Sequence, residues 1–265
     1  MQFRQLFFAA VALAVAAAPA GAYKVYVSNE KDNTITVVDS EKMEVVKTVK
    51  VGQRPRGITV TKDGKHILLC ASDDDTVEII DAQTFEQVGT LPSGPDPELF
   101  ILHPDGSKLY VANEDDNLIT VIDMTSKAVV AEVPVGVEPE GMGISPDGKT
   151  MVNTSETTNM AHFIDTASHE ITHNVLVDSR PRFAEYKADG SEVWISAEIG
   201  GTVSVIDDMT RAIGTTFGVT LRTSRDSLAY DARGLGSGAA NLTFVVLRGS
   251  TADTVVVSRL GRVRW

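Results

Sequence analysis

Residues 54–94, RPRGITVTKDGKHILLCASDDDTVEIIDAQTFEQVGTLPSG, hold four short strand-like runs separated by turn residues. GITVT and HILLCAS flank the pair Asp63-Gly64, which tolerates the positive φ that a two-residue hairpin demands. TVEIID follows an acidic turn at Asp73, Asp74 and Asp75. Asp81 ends that run and is placed to bond the backbone two residues on, closing an Asx turn before EQVGTL. Pro55 opens the first run, where a missing N–H does least harm to a sheet. The unit reads as four antiparallel strands, a to d.

The unit recurs without slipping. Asp39, Asp81, Asp123, Asp165 and Asp207 stand 42 residues apart, closing TVVD, EIID, TVID, HFID and SVID. Pro55, Pro97, Pro139 and Pro181 keep that interval, as do the Asp-Gly pairs at Asp63, Asp105, Asp147 and Asp189. Glu30, Glu114, Glu156 and Glu198 do so too, with Ser72 in the remaining place. Four-stranded units at such a period are the mark of a β-propeller. Along 23–207 the order is b, c, d, then three whole units, then a, b, c. The expected fold is therefore all-β, an incomplete propeller of about 4.5 blades followed by a small C-terminal β unit.

Composition changes sharply after Asp207. Residues 23–207 hold 15 Lys and Arg against 32 Asp and Glu, whereas 208–265 hold 8 Arg against 4 Asp, with no Lys or Glu. The expected organisation is a signal peptide at 1–22, propeller repeats at 23–207, a junction at 208–213 and a separate unit at 214–265. LTFVVL and TVVVSRL are expected to pair within that last unit. Arg4, the apolar run from Leu6 to Ala18 and the sequence Ala20-Gly21-Ala22 fit an export signal cleaved after Ala22. The implied location is periplasmic or secreted, with no membrane span after cleavage. A formal net charge of −12 does not suit nucleic acid. Cys70 is the only cysteine, so an internal disulfide and a Cys-x-x-Cys site are excluded, and LLCAS places it in the core.

Strand alternation puts the d-to-a and b-to-c connections on one face of the disc. There the charged residues around the prolines, Arg54, Arg56, Asp96, Glu98, Glu138, Glu140, Arg180 and Arg182, join Glu30, Glu114, Glu156 and Glu198 near the channel mouth. Two readings stand side by side: a charged funnel that selects a ligand or docks a partner, and ion pairing between blades. His162, His169 and His173 fall in one unit without a second cluster to converge on, so no metal site is expected from them. No nucleophile-elbow, zinc-protease or Walker motif is present, and GLGSG at 234–238 lacks the helix that would make it a phosphate cradle.

KVYVSNEKDNTITVVD (24–39), KLYVANEDDNLITVID (108–123) and GISPDGK (143–149) resemble YVTN-type β-propeller repeats. GQRPRGI, CASDDDT, GPDPELF, ANEDDN, GVEPEGM, NTSETTNMAHFIDT, RPRFAEY and SAEIGGTVSVID resemble, more narrowly, the propeller proteins associated with PQQ-dependent catabolism. That resemblance implies a secreted relative of seven-bladed propellers in bacteria that oxidise alcohols with quinoprotein dehydrogenases. It implies an accessory role without catalytic residues, a quinoprotein dehydrogenase or cytochrome c as partner, and an association with PQQ rather than a cofactor held by the chain. SLAYDARGLGSGAANLTFVVL and TVVVSRLGRVRW, with Arg233-Gly234-Leu235 and Gly261-Arg262-Val263, resemble the C-terminal β portion of GspH/FimT-type minor pseudopilins. The function expected is an exported, non-catalytic binding module. The alternatives are a secretion or pilus pseudopilin and a propeller enzyme such as a lactonase or oxidoreductase.

Overall fold

The computed structural model describes residues 23–218 and strands at 220–223, 242–248, 251–257 and 263–264. The signal-peptide reading of 1–22 lies outside the described residues.

Blade 1 has three strands, β1 (Lys24–Asn29), β2 (Thr34–Asp39) and β3 (Glu44–Lys50). Blade 2 is β4 (Pro55–Val60), β5 (His66–Ala71), β6 (Thr76–Asp81) and β7 (Gln87–Pro92). Blade 3 follows as β8 (Pro97–Leu102), β9 (Lys108–Asn113), β10 (Leu118–Asp123) and β11 (Ala128–Pro134). Blade 4 is β12 (Pro139–Ile144), β13 (Thr150–Ser155), β14 (Met160–Asp165) and β15 (Ile171–Leu176). Blade 5 is β16 (Pro181–Tyr186), β17 (Glu192–Ala197), β18 (Thr202–Asp207) and β19 (Ile213–Gly218). Every blade is an antiparallel meander in chain order.

The repeat landmarks are physical devices. Asp81 Oδ1 accepts the N–H groups of Gln83 and Thr84 at 2.8 and 2.7 Å, and Asp123 Oδ1 does the same for Thr125 and Ser126 at 3.1 and 2.7 Å. These bonds hold the carboxyls below their ordinary range, because a carboxylate accepts backbone N–H better than a neutral acid does. Gly64, Gly106, Gly148 and Gly190 take positive φ at the a–b hairpins, the conformation the Asp-Gly pairs foretell. The acidic run after β5 forms a single 3-10 turn, Ser72–Asp74.

Blades pack face to face, so the b strands of blades 2 to 4 are buried on both sides while the d strands meet solvent. Leu68 and Cys70 of blade 2 pack with Leu109 and Val111 of blade 3, which places Cys70 in the core and lifts its thiol pKa well above the ordinary value through burial. Tyr110 and Ala112 meet Met151 and Ile164 across the next interface. The a strands β4, β8, β12 and β16 contact one another in turn, so the proline-bearing segments gather around a common centre. Gly143 permits that convergence: a Cβ there would stand 2.9 Å from the carbonyl oxygen of Ala184.

One expectation is corrected. The last unit does not stop at strand c. β19 pairs with β18 from Thr202↔Gly218 to Ile206↔Ile213 and repeats, at Val205/Ile206, the register shift that β10–β11 shows at Val121/Ile122. The turn before it is also native to the repeat, since Asp207 Oδ1 accepts Thr210 N–H at 2.8 Å and Arg211 N–H bonds the Asp207 carbonyl. Residues 208–212 are therefore the c–d turn of blade 5, and 213–218 its outer strand. The physical reason is that backbone pairing asks only for an extended segment of the right length, not for the repeat's side chains.

Beyond it, β20 (Thr220–Thr223), β21 (Leu242–Arg248), β22 (Thr251–Val257) and β23 (Val263–Arg264) form a further four-stranded antiparallel sheet in chain order. No helix among the described residues is long and apolar enough to cross a membrane.

Candidate binding face at the channel mouth

Each of blades 2 to 5 enters the mouth through one charged residue, a proline and a second charged residue. Arg54, Asp96, Glu138 and Arg180, the residues before the prolines, all adopt left-handed backbone, with φ of 52°, 50°, 57° and 59°. A side chain in that region is strained, and each is held by the preceding blade. Asn33 Oδ1 accepts Arg54 N–H at 2.9 Å, Asp75 Oδ1 accepts Asp96 N–H at 3.1 Å, and Asn117 and Asn159 accept the N–H groups of Glu138 and Arg180 at 3.0 Å. The carbonyls of Arg54, Asp96, Glu138 and Arg180 accept the N–H groups of Ser72, Glu114, Glu156 and Glu198. That lock aims the charged side chains. Asn33, Asp75, Asn117 and Asn159 keep the 42-residue interval, a signal of the lock that the acidic turn containing Asp75 masks in blade 2.

The side chains so placed form a continuous ionic network. Arg54 Nη2 lies 3.1 Å from Asp96 and 3.9 Å from Glu114, touches Glu98, and its Nε is 3.7 Å from Glu30. Arg56 meets Glu98, Glu30 at 3.3 Å and Glu140 at 3.1 Å. Arg180 binds Glu156 at 2.6 Å, and Arg182 binds Glu140 at 2.6 Å and Glu156 at 3.0 Å, both reaching Glu198 at 3.4 and 3.3 Å. Glu138 accepts from the Thr157 hydroxyl. All twelve residues expected at the mouth thus sit on one face, and eleven share the network. Ion pairing between blades, one of the two readings of the sequence, is its geometry.

Acid exceeds base here. Glu98 is fully buried, and burial pushes its carboxyl up to about 7, with the guanidinium of Arg56 opposing and Glu114 reinforcing the rise. Burial pushes Glu140 up to about 8, and its bond to Glu156 adds to this against the pull of Arg182. Burial works against the charge of Glu156 too, but hydrogen bonds from Glu140 and Arg180 hold its pKa low. Glu30, Asp73 and Glu198 remain about half exposed at the rim.

Asp96, Glu98 and Glu114 bring one oxygen each within 4.8 Å of one another, close enough to share an ion. The guanidinium of Arg54 already supplies the cation to all three. The histidines lie elsewhere. His162 accepts Gly136 N–H at Nε2, 3.0 Å, and its Nδ1 lies 2.6 Å from Asn174 Oδ1, which defines a neutral imidazole donating from Nδ1. Burial lowers its pKa. His169 Nε2 faces Lys108 Nζ at 3.2 Å, and His173 lies on the outer strand β15 opposite Phe163.

Radially stacked meander sheets around a charged mouth define a β-propeller. The model of the YNCE-like beta-propeller family matches residues 67–260, most of the chain, and the protein belongs to that family. The match runs through most of the segment that resembles the pseudopilins. A model of the cytochrome D1 heme domain matches residues 8–98. Among solved structures, hydrazine synthase of Kuenenia stuttgartiensis is 22% identical, with a TM-score of 0.66 over 89% of this chain and 73% of that one. That likeness shows the fold alone. No curated protein matches the chain.

Proposed function

We propose that this propeller is an exported, non-catalytic module whose acidic channel mouth docks a basic redox partner in the periplasm. The observation that carries the reading is the surplus of carboxylate at the mouth, with Glu30, Asp73 and Glu198 half exposed around a rim whose arginines are already paired. Exposed like charges focus a field that draws an oppositely charged partner and weakens with salt. The partial match to a haem-domain model favours a haem protein in this role, such as a c-type cytochrome. The twelve mouth residues are arginines and carboxylates, so they offer no axial ligand to a haem iron, and the haem belongs to the partner. PQQ, an anion with several carboxylates, fits the acidic mouth poorly. The PQQ link, suggested by sequence resemblance, is assigned to a quinoprotein dehydrogenase served by that partner. The pseudopilin-like tail supports a secretion role by resemblance only, and no residue set favours a lactonase or oxidoreductase.

Titrating the full chain with a basic c-type cytochrome at low ionic strength should give saturable binding that weakens steeply as salt is added. Changing Glu30, Asp73 and Glu198 together to Lys should abolish it. Binding indifferent to salt and to those changes would overturn the proposal.

A further inference from the structure

Position 78 of the repeat faces the link from the preceding blade. In blade 4 that place is His162, whose two nitrogens are both occupied. In blade 2 it is Glu78, only 6% exposed, whose Oε1 accepts Gly52 N–H at 3.1 Å. Its Oε2 is buried with no hydrogen-bond partner, and no Lys or Arg pairs with it among the described residues. Asp74 adds negative charge nearby while accepting both Gln53 N–H and Gln53 Nε2 at 2.7 and 2.9 Å. Burial raises the Glu78 pKa, the Gly52 bond opposes the rise and Asp74 adds to it. A buried carboxyl oxygen without a donor costs free energy that a ligand's donor would recover.

Glu78 lines a half-open cavity of about 330 Å³ between blades 1 and 2, within the size range of small-molecule sites. Val51, Ile80 and Phe85 form its apolar wall, and Lys50 lines it as well. Lys24 and Lys47 place their ammonium groups 5.0 and 4.7 Å from the centre of the Phe85 ring. One cavity is thus lined by an acid, an apolar wall and the ammonium-bearing Lys50, with Lys24 and Lys47 against the ring of the lining Phe85. We propose that this cavity binds a short aliphatic zwitterion, its ammonium group toward Glu78 and its carboxylate toward the lysine side. Neither a plain amine nor a plain acid satisfies both ends, because each leaves one charged end of the site facing an apolar group. None of the twelve mouth residues lines it.

Calorimetric titration of the full chain with 6-aminohexanoate, hexylamine and hexanoate tests this. The zwitterion should bind about tenfold more tightly than either analogue, as expected when a charge-assisted hydrogen bond forms at each end. Glu78→Gln keeps an acceptor for Gly52 N–H and should erase the advantage over hexanoate. Lys50→Gln, at an exposed position, should reduce the advantage over hexylamine and provides the test if the Glu78 variant fails to fold. Absence of saturable binding by 6-aminohexanoate, or equal affinity for all three probes, would overturn the assignment.

Discussion

Arg56 reaches past its neighbouring blade to Glu140, Nη2 to Oε1 3.1 Å, across 84 residues of sequence. The same Glu140 oxygen accepts Arg182 Nη2 at 2.6 Å, so blades 2, 4 and 5 meet at one carboxyl group. Fully buried Glu98 also depends on Arg56. Arg56→Met removes one of two arginines from each of two buried acids, Arg54 remaining on Glu98 and Arg182 on Glu140, and urea unfolding should show a loss of about 1–3 kcal/mol, the scale for a lost hydrogen bond to a charged group. Adding Glu140→Gln to that variant should recover part of the loss. Strict additivity in the double-mutant cycle would refute coupling through this contact.

The pH dependence has two opposed arms. Glu98 and Glu140 rise from 4.5 to about 7 and about 8 on folding, so the native state holds protons that the unfolded chain has released. Their contribution is present below the unfolded value and fades as pH rises through the folded ones. Asp147 and Asp189 fall to about 2, and their contribution fades only as pH drops below about 4. The melting temperature should peak at about pH 4, between the unfolded aspartate and glutamate values, and decline toward about pH 9, with a shallower decline in Glu140→Gln. Calorimetry that places the peak on the alkaline side would contradict the assignment.

Asn117 holds the strained Glu138 by accepting its N–H at 3.0 Å, and is itself left-handed at φ 56°. Asn117→Ala loses the acceptor and keeps the strain, so denaturant titration should register a cost of about 1–3 kcal/mol. Asn117→Asp, which preserves the acceptor and tolerates the conformation, should cost less. Equal losses would remove the lock as the cause.

Val25 and Val27 are 40% and 45% exposed, whereas their counterparts one and two repeats on, Ile67, Leu69, Leu109 and Val111, are fully buried between blades. They lie on β1, whose inner edge has no strand partner among the described residues. An unpaired apolar edge favours association with further strands. Changing Val25 and Val27 together to Lys should lower self-association in sedimentation experiments with little loss of melting temperature. A large drop in melting temperature with unchanged association would show that these residues are covered in solution.

Much of the fold was legible because blade geometry rests on local chemistry. Asp81 capping the next two N–H groups, Gly64 turning the hairpin and Pro55 starting strand a each act within a few residues. The limit appears at Asp207. Thr210 repeats the Ser126 and Ser168 positions, a signal that the turn continues, but Ile213 to Gly218 carries no landmark of strand d. Its place follows from pairing with β18.

By itself the sequence determined the period, the strand order within each blade and the residues that crowd the channel mouth, since these depend on alternation and turn chemistry along the chain. Tertiary structure alone decided that Arg56 shares Glu140 with Arg182, that Glu98 and Glu140 are buried, and that Glu78 keeps an oxygen without a donor. Those outcomes depend on how far each blade is rotated about a common axis, a distance in space that no spacing in sequence encodes.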